Sequence, residues 1–256
     1  MKIFRRSTLS GNKELICKTS SKEVEDLLSH AASRYITKDE DGLTILEEFF
    51  ENRSVLDVWR YSLLMSENGF RLMRHCSYNQ KLERSHYRDH LAITSKQKNI
   101  VLFIESPHKN EYTSDGRFIP IGPAQGRTGE KIEQYFEGLF NNFINRYSEL
   151  TEKSYGVIIS NPVQYQTSLH EILHLSKVNN TLKDCIWRGL FDENEFQRRL
   201  ANYSPAVVIN ACTSGLKGKV NLAIPHEYHL FIASSHPCIW SGSTTVEKFR
   251  QHPAND

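Results

Sequence analysis

Four apolar runs of strand length constrain the fold of this chain more than any other feature. They are Ile100 to Ile104 (IVLFI), Tyr155 to Ile159 (YGVII), Ala206 to Ile209 (AVVI) and His229 to Ala233 (HLFIA). A strand with one wet face alternates polar and apolar residues, whereas a strand covered on both faces reads as an unbroken run. Helical patterns separate the runs. The clearest starts near Thr128, a suitable N-cap, and carries Ile132, Tyr135, Phe136, Leu139, Phe140, Phe143, Ile144 and Tyr147 at i, i+3, i+4, i+7 spacing. That stripe belongs to a core. Further helices are expected near 193–201 and 244–250. The pattern predicts an α/β fold over residues 98–256, a three-layer α/β/α sandwich around a central parallel sheet of about four strands.

The front of the chain reads differently. Residues 1–97 are expected to form a helical N-terminal region. One helix is capped by Ser20 or Ser21 and carries Val24, Leu27, Leu28 and Ala31; others fall near 43–51 and 54–76. The polar, basic stretch 77–97 is expected to connect the two regions.

Composition narrows the partners. The formal net charge over 256 residues is +2, so a nucleic-acid site must be a local patch rather than a basic coat. No apolar run is long enough to cross a membrane, and the basic residues at the N-terminus have no apolar run behind them. Cys17, Cys76, Cys185, Cys212 and Cys238 are scattered, with no CxxC pair. That spacing favours reduced thiols in a cytoplasmic protein and argues against a cysteine-held metal. No cofactor and a monomeric state are expected.

One local motif points elsewhere. His170-Glu171-Ile172-Leu173-His174 is an H-E-x-x-H pentapeptide. On a helix both imidazoles share a face and can hold Zn²⁺, with the glutamate polarising a bound water. Glu193 or Glu195 would be the third ligand. The segment lies in a connection between two strands, however, just after a loop opened by Asn161-Pro162, and leaves the polar residues at the strand ends unexplained.

Those residues form a set. Each apolar run is followed by a polar, turn-rich segment: Glu105-Ser106-Pro107-His108, Ser160-Asn161-Pro162, Asn210-Ala211-Cys212-Thr213 and Ser234-Ser235-His236-Pro237. Open α/β sheets bind ligands outside the carboxyl ends of their strands, so these segments are expected to converge on one edge.

In order and context they resemble the uracil-DNA glycosylase superfamily. Ile104-Glu105-Ser106-Pro107 resembles its G-x-x-P-type loop, Asn161 its strand-ending asparagine, and His236-Pro237-Cys238-Ile239-Trp240-Ser241 its late His-Pro-Ser-type loop. Asp115 to Gly126 looks like its Gly-rich pocket wall. The resemblance spans about residues 98–250.

It implies excision of a base that is flipped out of DNA. The implied roles are a carboxylate at the sugar cation (Glu105), an imidazole donating to a base carbonyl (His236) and an amide reading the base edge (Asn161). Ser106, Pro107, His108, Phe118, Ile121, Gly122 and Gln125 would complete the base pocket. Ser106, Ser241 and Ser243 would meet phosphates, Lys217, Lys219 and Lys248 would supply charge, and Ile239 or Trp240 would wedge into the stack.

The chain departs from the family pattern in three places. Ile104 stands where the loop has glycine, and His108 where uracil-specific members carry a tyrosine that blocks C5 substituents. The stacking aromatic reduces to Phe118 or Ile121. These departures suggest a bulkier modified pyrimidine, such as the glucosylated 5-hydroxymethylcytosine that similar antiphage members excise. The alternatives are plain uracil excision, a non-catalytic nucleic-acid module and the zinc hydrolase. Metal analysis separates the last: the purified chain is expected to carry no stoichiometric zinc, and His170→Ala to leave its metal content unchanged.

Overall fold

The computed structural model describes residues 2–7, 13–18, 36–39, 42–46, 50, 53–75, 98–114, 117–144, 150–168, 180–228, 230–242 and 248–249. For 2–7, 13–18, 36–39, 42–46 and 248–249 the description covers backbone pairing only. His170 to His174 and Ser243 lie outside the described residues, as do the helix expected at 21–31 and the stretch 77–97.

The chain forms two compact units and passes between them repeatedly. The first comprises Met1–Val55, Ser106–Pro120 and Val163–Asp192; the second comprises Leu56–Glu105, Ile121–Pro162 and Glu193–Asp256. Residues 56–74 belong with the sheet strands of the second unit.

In the first unit, β1 (Lys2–Ser7), β2 (Lys13–Lys18), β3 (Ile36–Asp39) and β4 (Gly42–Leu46) form an antiparallel sheet in the order β1-β2-β4-β3. Helix α1 (Asn180–Leu190) lies against β1 and β2 and buries Leu182, Cys185, Ile186 and Trp187. Cys185 is disulfide-bonded, whereas Cys212 and Cys238 of the second unit form no disulfide. Thiols reduced throughout, as the sequence spacing suggested, are thus not what the fold forms, because spacing along a chain does not report which cysteines the fold brings together. Tyr112 is buried among loops of this unit; its hydroxyl donates to Arg53 O and accepts from Gln166 N. Burial, with Glu111 adding to it, pushes its ionisation far above the ordinary tyrosine range.

The second unit is built on a seven-stranded mixed sheet in the order β11-β10-β9-β7-β8-β5-β6. Its parallel core contains β7 (Asn99–Phe103), β8 (Ser154–Ser160), β9 (Pro205–Asn210) and β10 (Phe231–Ala233). These are the four apolar runs of the sequence. The antiparallel strands are β5 (Val58–Ser66) and β6 (Gly69–Arg74) on one side and the two-residue β11 (Lys248–Phe249) on the other. The core of this unit is therefore α/β, with a mixed rather than an all-parallel sheet.

Both faces of the parallel core are covered, which is why its strands are apolar throughout. Helix α2 (Arg127–Ile144) packs Ile132, Phe136, Phe140 and Phe143 into a cluster with Ile100, Leu102, Val157, Ile159, Val207 and Ile209. On the other face Phe103 meets Phe196 of α3 (Glu193–Asn202), with ring centroids 4.8 Å apart. Each fully buried side chain of this kind contributes about 1.5–3 kcal/mol. Between α2 and the ends of β9 and β10 lies an apolar cavity of about 20 Å³, room for a water-sized molecule.

Where they are described, the stretches 43–51 and 54–76 hold strands in place of the expected helices. Residues 43–46 lie in β4, and 58–74 form the β5–β6 hairpin. The turn signal is Asn68-Gly69, with Ser66 paired to Gly69 across a two-residue loop. Clustered apolar residues in VWRYSLLM mimic a helical face because both faces of this strand's first half are buried.

Helix α2 also closes the exposed edge of the sheet. Its Asn141 accepts from Phe70 N at 2.7 Å and donates to Phe70 O at 2.8 Å, and its Glu137 accepts from Leu72 N at 2.9 Å. Two side chains one turn apart thus satisfy backbone groups that an edge strand leaves open. Gly69 sits beside this brace at φ 104, and a Cβ there would come within 2.8 Å of Asn141 Oδ1. Gly69→Ala is expected to destabilise the protein by about 1–3 kcal/mol through strain and loss of the Asn141 bonds. Urea denaturation would measure it.

Candidate active site at the carboxyl edge of the sheet

The four parallel strands end level with one another. Phe103 pairs with Ser160 on one side and Asn210 on the other, and Asn210 pairs with Ala233. Bonds beyond the ladder keep the exits together: Ile104 N donates to Ser160 O, Ala211 N to Phe103 O and Ser234 N to Asn210 O. Glu105, Asn161, Thr213 and His236 therefore follow their strands by one to three residues, from one edge.

Strand order makes one point on that edge special. The chain leaves β7 for β8 on one side, and leaves β9 for β10 on the other. The carboxyl ends of β7 and β9 thus flank a topological switch point, where connections diverge and open a crevice.

Glu105 stands there. It is 3% exposed and has φ 114, a conformation that strains any residue with a Cβ. Its Oε2 accepts from both Thr213 N, at 3.0 Å, and the Thr213 hydroxyl. Thr213 is the N-cap of α4 (Ser214–Ala223), yet its hydroxyl makes no capping bond and goes to Glu105 instead. The partnership joins residues 108 apart in sequence, so no local pattern singles out Thr213 for this role. Its one local signal is its place before the helix.

Asn210, which ends β9, is fully buried and braces the same loop. Its Oδ1 accepts from Cys212 N at 3.0 Å, and its Nδ2 donates to Lys217 O and Asn221 Oδ1.

His236 comes to the same place. Its Nδ1 accepts from Cys238 N at 3.3 Å. A neutral imidazole has one donor and one acceptor, so Nε2 carries the proton and donates to Ile104 O at 3.0 Å. The proton expected at a base carbonyl thus holds the residue before Glu105. The neighbouring Cys238 thiol is pushed up by burial; Arg127 opposes that and Glu105 adds to it, which places all three in one electrostatic neighbourhood.

Asn161 is fully buried, and its backbone is fixed at both ends. Its N–H donates to Asp57 Oδ1 at 3.3 Å and its carbonyl accepts from Arg199 Nη2 at 3.3 Å. Arg199 also reaches Pro162 O at 2.9 Å, Ser160 Oγ at 3.3 Å, Asp57 Oδ2, and Glu195 at 2.7 Å. Tyr203 OH donates to the same Asp57 oxygen at 2.6 Å. Burial alone would lower the Arg199 pKa, but the Asp57 and Glu195 charges outweigh it and hold the guanidinium above its ordinary value. Burial, then Asp57, raises Tyr203 well above the usual tyrosine range. Glu195, considered above as a zinc ligand, is thus an ion-pair partner of Arg199, and Glu193 accepts from Gln197 at 3.4 Å.

The other sequence candidates divide between the two units. Ser106, Pro107, His108 and Phe118 lie in the first; Ile121, Gly122 and Gln125 lie in the second with Glu105, Asn161 and His236. Ser106 Oγ bonds Thr167 Oγ1 at 3.0 Å, and His108 Nδ1 accepts from Asn110 N at 3.4 Å, capping the short helical turn Lys109–Glu111. Phe118 has φ 51 and Gly122 φ 146.

Of the two proposed wedges, Trp240 is excluded by burial. It is 2% exposed, stacked on Phe136 at 6.2 Å, with Nε1 donating to Ser235 O at 2.9 Å. Ile239 beside it is 65% exposed. Lys217 is not a free loop charge either, because its Nζ donates to Ser234 O at 2.5 Å and ties α4 to the end of β10. Lys219 is half-buried and Ser241 exposed. Lys248 lies in β11, its side chain outside the described set.

Among the described residues no group of three or more His, Cys, Asp or Glu is arranged to hold a metal ion, and no helix is long and apolar enough to cross a membrane. No family model, curated protein or solved structure matches the chain.

Removing the Arg199 charge would leave Asp57 buried and uncompensated. Arg199→Met is expected to cost about 3–5 kcal/mol in urea denaturation, and adding Asp57→Leu to recover part of that loss.

Proposed function

We propose that this protein is a monofunctional DNA glycosylase that hydrolyses the N-glycosidic bond of a flipped, modified pyrimidine and leaves an abasic site. The best candidate base is glucosylated 5-hydroxymethylcytosine of phage DNA, which would make the protein an antiviral defence enzyme. The observation that carries the reading is Glu105: a strained, buried carboxylate fixed by Thr213 at the sheet's switch point. Strain of this kind persists where the surroundings enforce it, and it gathers at active sites. The finer likeness to the glycosylase sandwich rests on the sequence resemblance and on the level ends of β7, β8, β9 and β10.

In this reading the bond from C1′ to the base nitrogen breaks, and the bonding pair leaves with the base. Glu105 faces the positive charge left on the sugar and accepts a hydrogen bond from the water whose oxygen bonds to C1′. That water loses a proton and the departing base gains one, so the step balances as a hydrolysis.

His236 has one proton to give. On substrate binding Nε2–H exchanges Ile104 O for the base carbonyl on which negative charge collects. Asn161, held by Asp57 and Arg199, reads the base edge. Ile239, the exposed apolar residue of the late loop, fills the stack that the flipped base leaves. Double-stranded DNA is the partner, and the protein acts as a monomer.

Incubation with glucosylated phage DNA, followed by mass spectrometry of the released base, tests the proposal. The expected product is the free modified base together with abasic sites, with Glu105→Gln slower by on the order of 10²-fold or more. Abasic sites in uracil-containing DNA alone would assign plain uracil excision; none in either DNA would remove the glycosylase reading.

A further inference from the structure

The least satisfied charge among the described residues is Arg60 in β5. It is 1% exposed. The β5–β8 register shifts between Trp59 and Tyr61, so Arg60 is the extra residue of a bulge. Bulges re-aim side chains, and this one sends the guanidinium to the loop before α2. There Nη1 donates to Pro123 O at 2.5 Å and Ala124 O at 3.0 Å.

Its other two nitrogens, Nε and Nη2, are buried and make no hydrogen bond. No carboxylate pairs with it, in contrast to Arg74, which meets Glu133, and Arg199, which meets Asp57 and Glu195. Its nearest aromatic support, the Tyr61 ring, is 5.7 Å away. A guanidinium withdrawn from water without a counter-charge is costly, and an anion meeting it there would recover much of that cost.

The free nitrogens are the ones a bidentate oxyanion needs. Nε and Nη2 lie side by side on one edge and present two parallel N–H groups to two oxygens. The adjacent residue adds a donor. Gln125 is 6% exposed, and its Nε2 is likewise buried without a partner. The loop takes its shape from Gly122 at φ 146, Ala124 at φ 56 and Gly126 at φ 62, and it runs straight into the first turn of the 18-residue α2. A helix of that length presents unpaired N–H groups and positive potential at its start.

We infer that Arg60 and Gln125, with the N-terminus of α2, form a binding site for a phosphate-class oxyanion. Phosphate oxygens would take the Nε/Nη2 edge of Arg60 and the Gln125 amide while Nη1 keeps the loop carbonyls. The oxyanion can come from free phosphate or from a phosphodiester of bound DNA; the recognition chemistry is the same. This inference stands apart from the glycosylase reading, because its readout is stability and not base release.

The test is the melting temperature of the full chain in inorganic phosphate against chloride at matched ionic strength, repeated with a short single-stranded oligonucleotide in phosphate-free buffer. Phosphate is expected to raise the melting temperature by roughly 3–5 °C for each tenfold increase above its dissociation constant. Arg60→Met removes the charge but also unpairs two carbonyls and can fail to fold. Gln125→Glu is therefore the decisive variant. It places a carboxylate on the residue after Ala124, whose carbonyl the guanidinium holds, so it should melt higher than wild type in chloride and lose the response to phosphate.

A Gln125-dependent rise with the oligonucleotide identifies a DNA phosphate as the occupant, and a rise with inorganic phosphate alone identifies a free one. No phosphate-specific or oligonucleotide-specific rise in the wild type, or an undiminished rise in Gln125→Glu, overturns the site.

Discussion

The guanidinium of Arg199 is the interaction on which the carboxyl edge depends. It stands on α3 and meets Asp57 before β5, Ser160 at the end of β8, and the carbonyls of Asn161 and Pro162 in the loop beyond. Tyr203, which leads from α3 toward β9, completes it through Asp57. Three sheet strands and a helix are thus pinned by one buried charge pair with most of its hydrogen bonds made. Such a pair adds less net stability than its geometry suggests, because both ions lose water. What it does supply is a unique arrangement, since a shifted β5 or β8 would strand Asp57 or Arg199 without its partner.

The fixed edge lets Glu105 hold an unfavourable backbone conformation. The residue is enclosed by Thr213 on the β9 side and by Ile104, which His236 holds from the β10 side. Contacts from three strands converge on two consecutive residues of β7's exit loop. Strain is thus confined to one position and supported from both neighbours. Arg60 is the contrasting case: it too is buried and aimed by an irregular strand, but its charge is met by carbonyls alone. One buried arginine completes a network and the other leaves one open.

Legibility in the sequence followed the kind of force involved. The four core strands are legible because burial on both faces writes itself as an unbroken apolar run, and α2 because its stripe keeps the helical period. The β5–β6 hairpin is hidden by the same logic: VWRYSLLM is apolar enough to pass for a helical face, and Asn68-Gly69 is the local sign of a turn. At the site, Glu105, Asn161 and His236 were legible as polar residues directly after strands. Thr213, Asp57, Arg199 and Arg60 were not, because each acts on a residue far away in sequence. The choice between Ile239 and Trp240 was equally closed to pattern reading, since two adjacent apolar residues differ only in which one the fold covers.

The sequence by itself determined the four parallel strands of the covered core and the polar residues that follow them, because solvent exclusion acts on every residue locally and marks it by type. The tertiary structure alone decided that the sheet is mixed, that β9 lies beside β7 and so opens a crevice at Glu105, and that His236 spends its proton on Ile104. Strand order, register and hydrogen-bond partnership are relations between distant residues, and the pattern of apolar and polar residues along a chain carries no term for the distance between them in space.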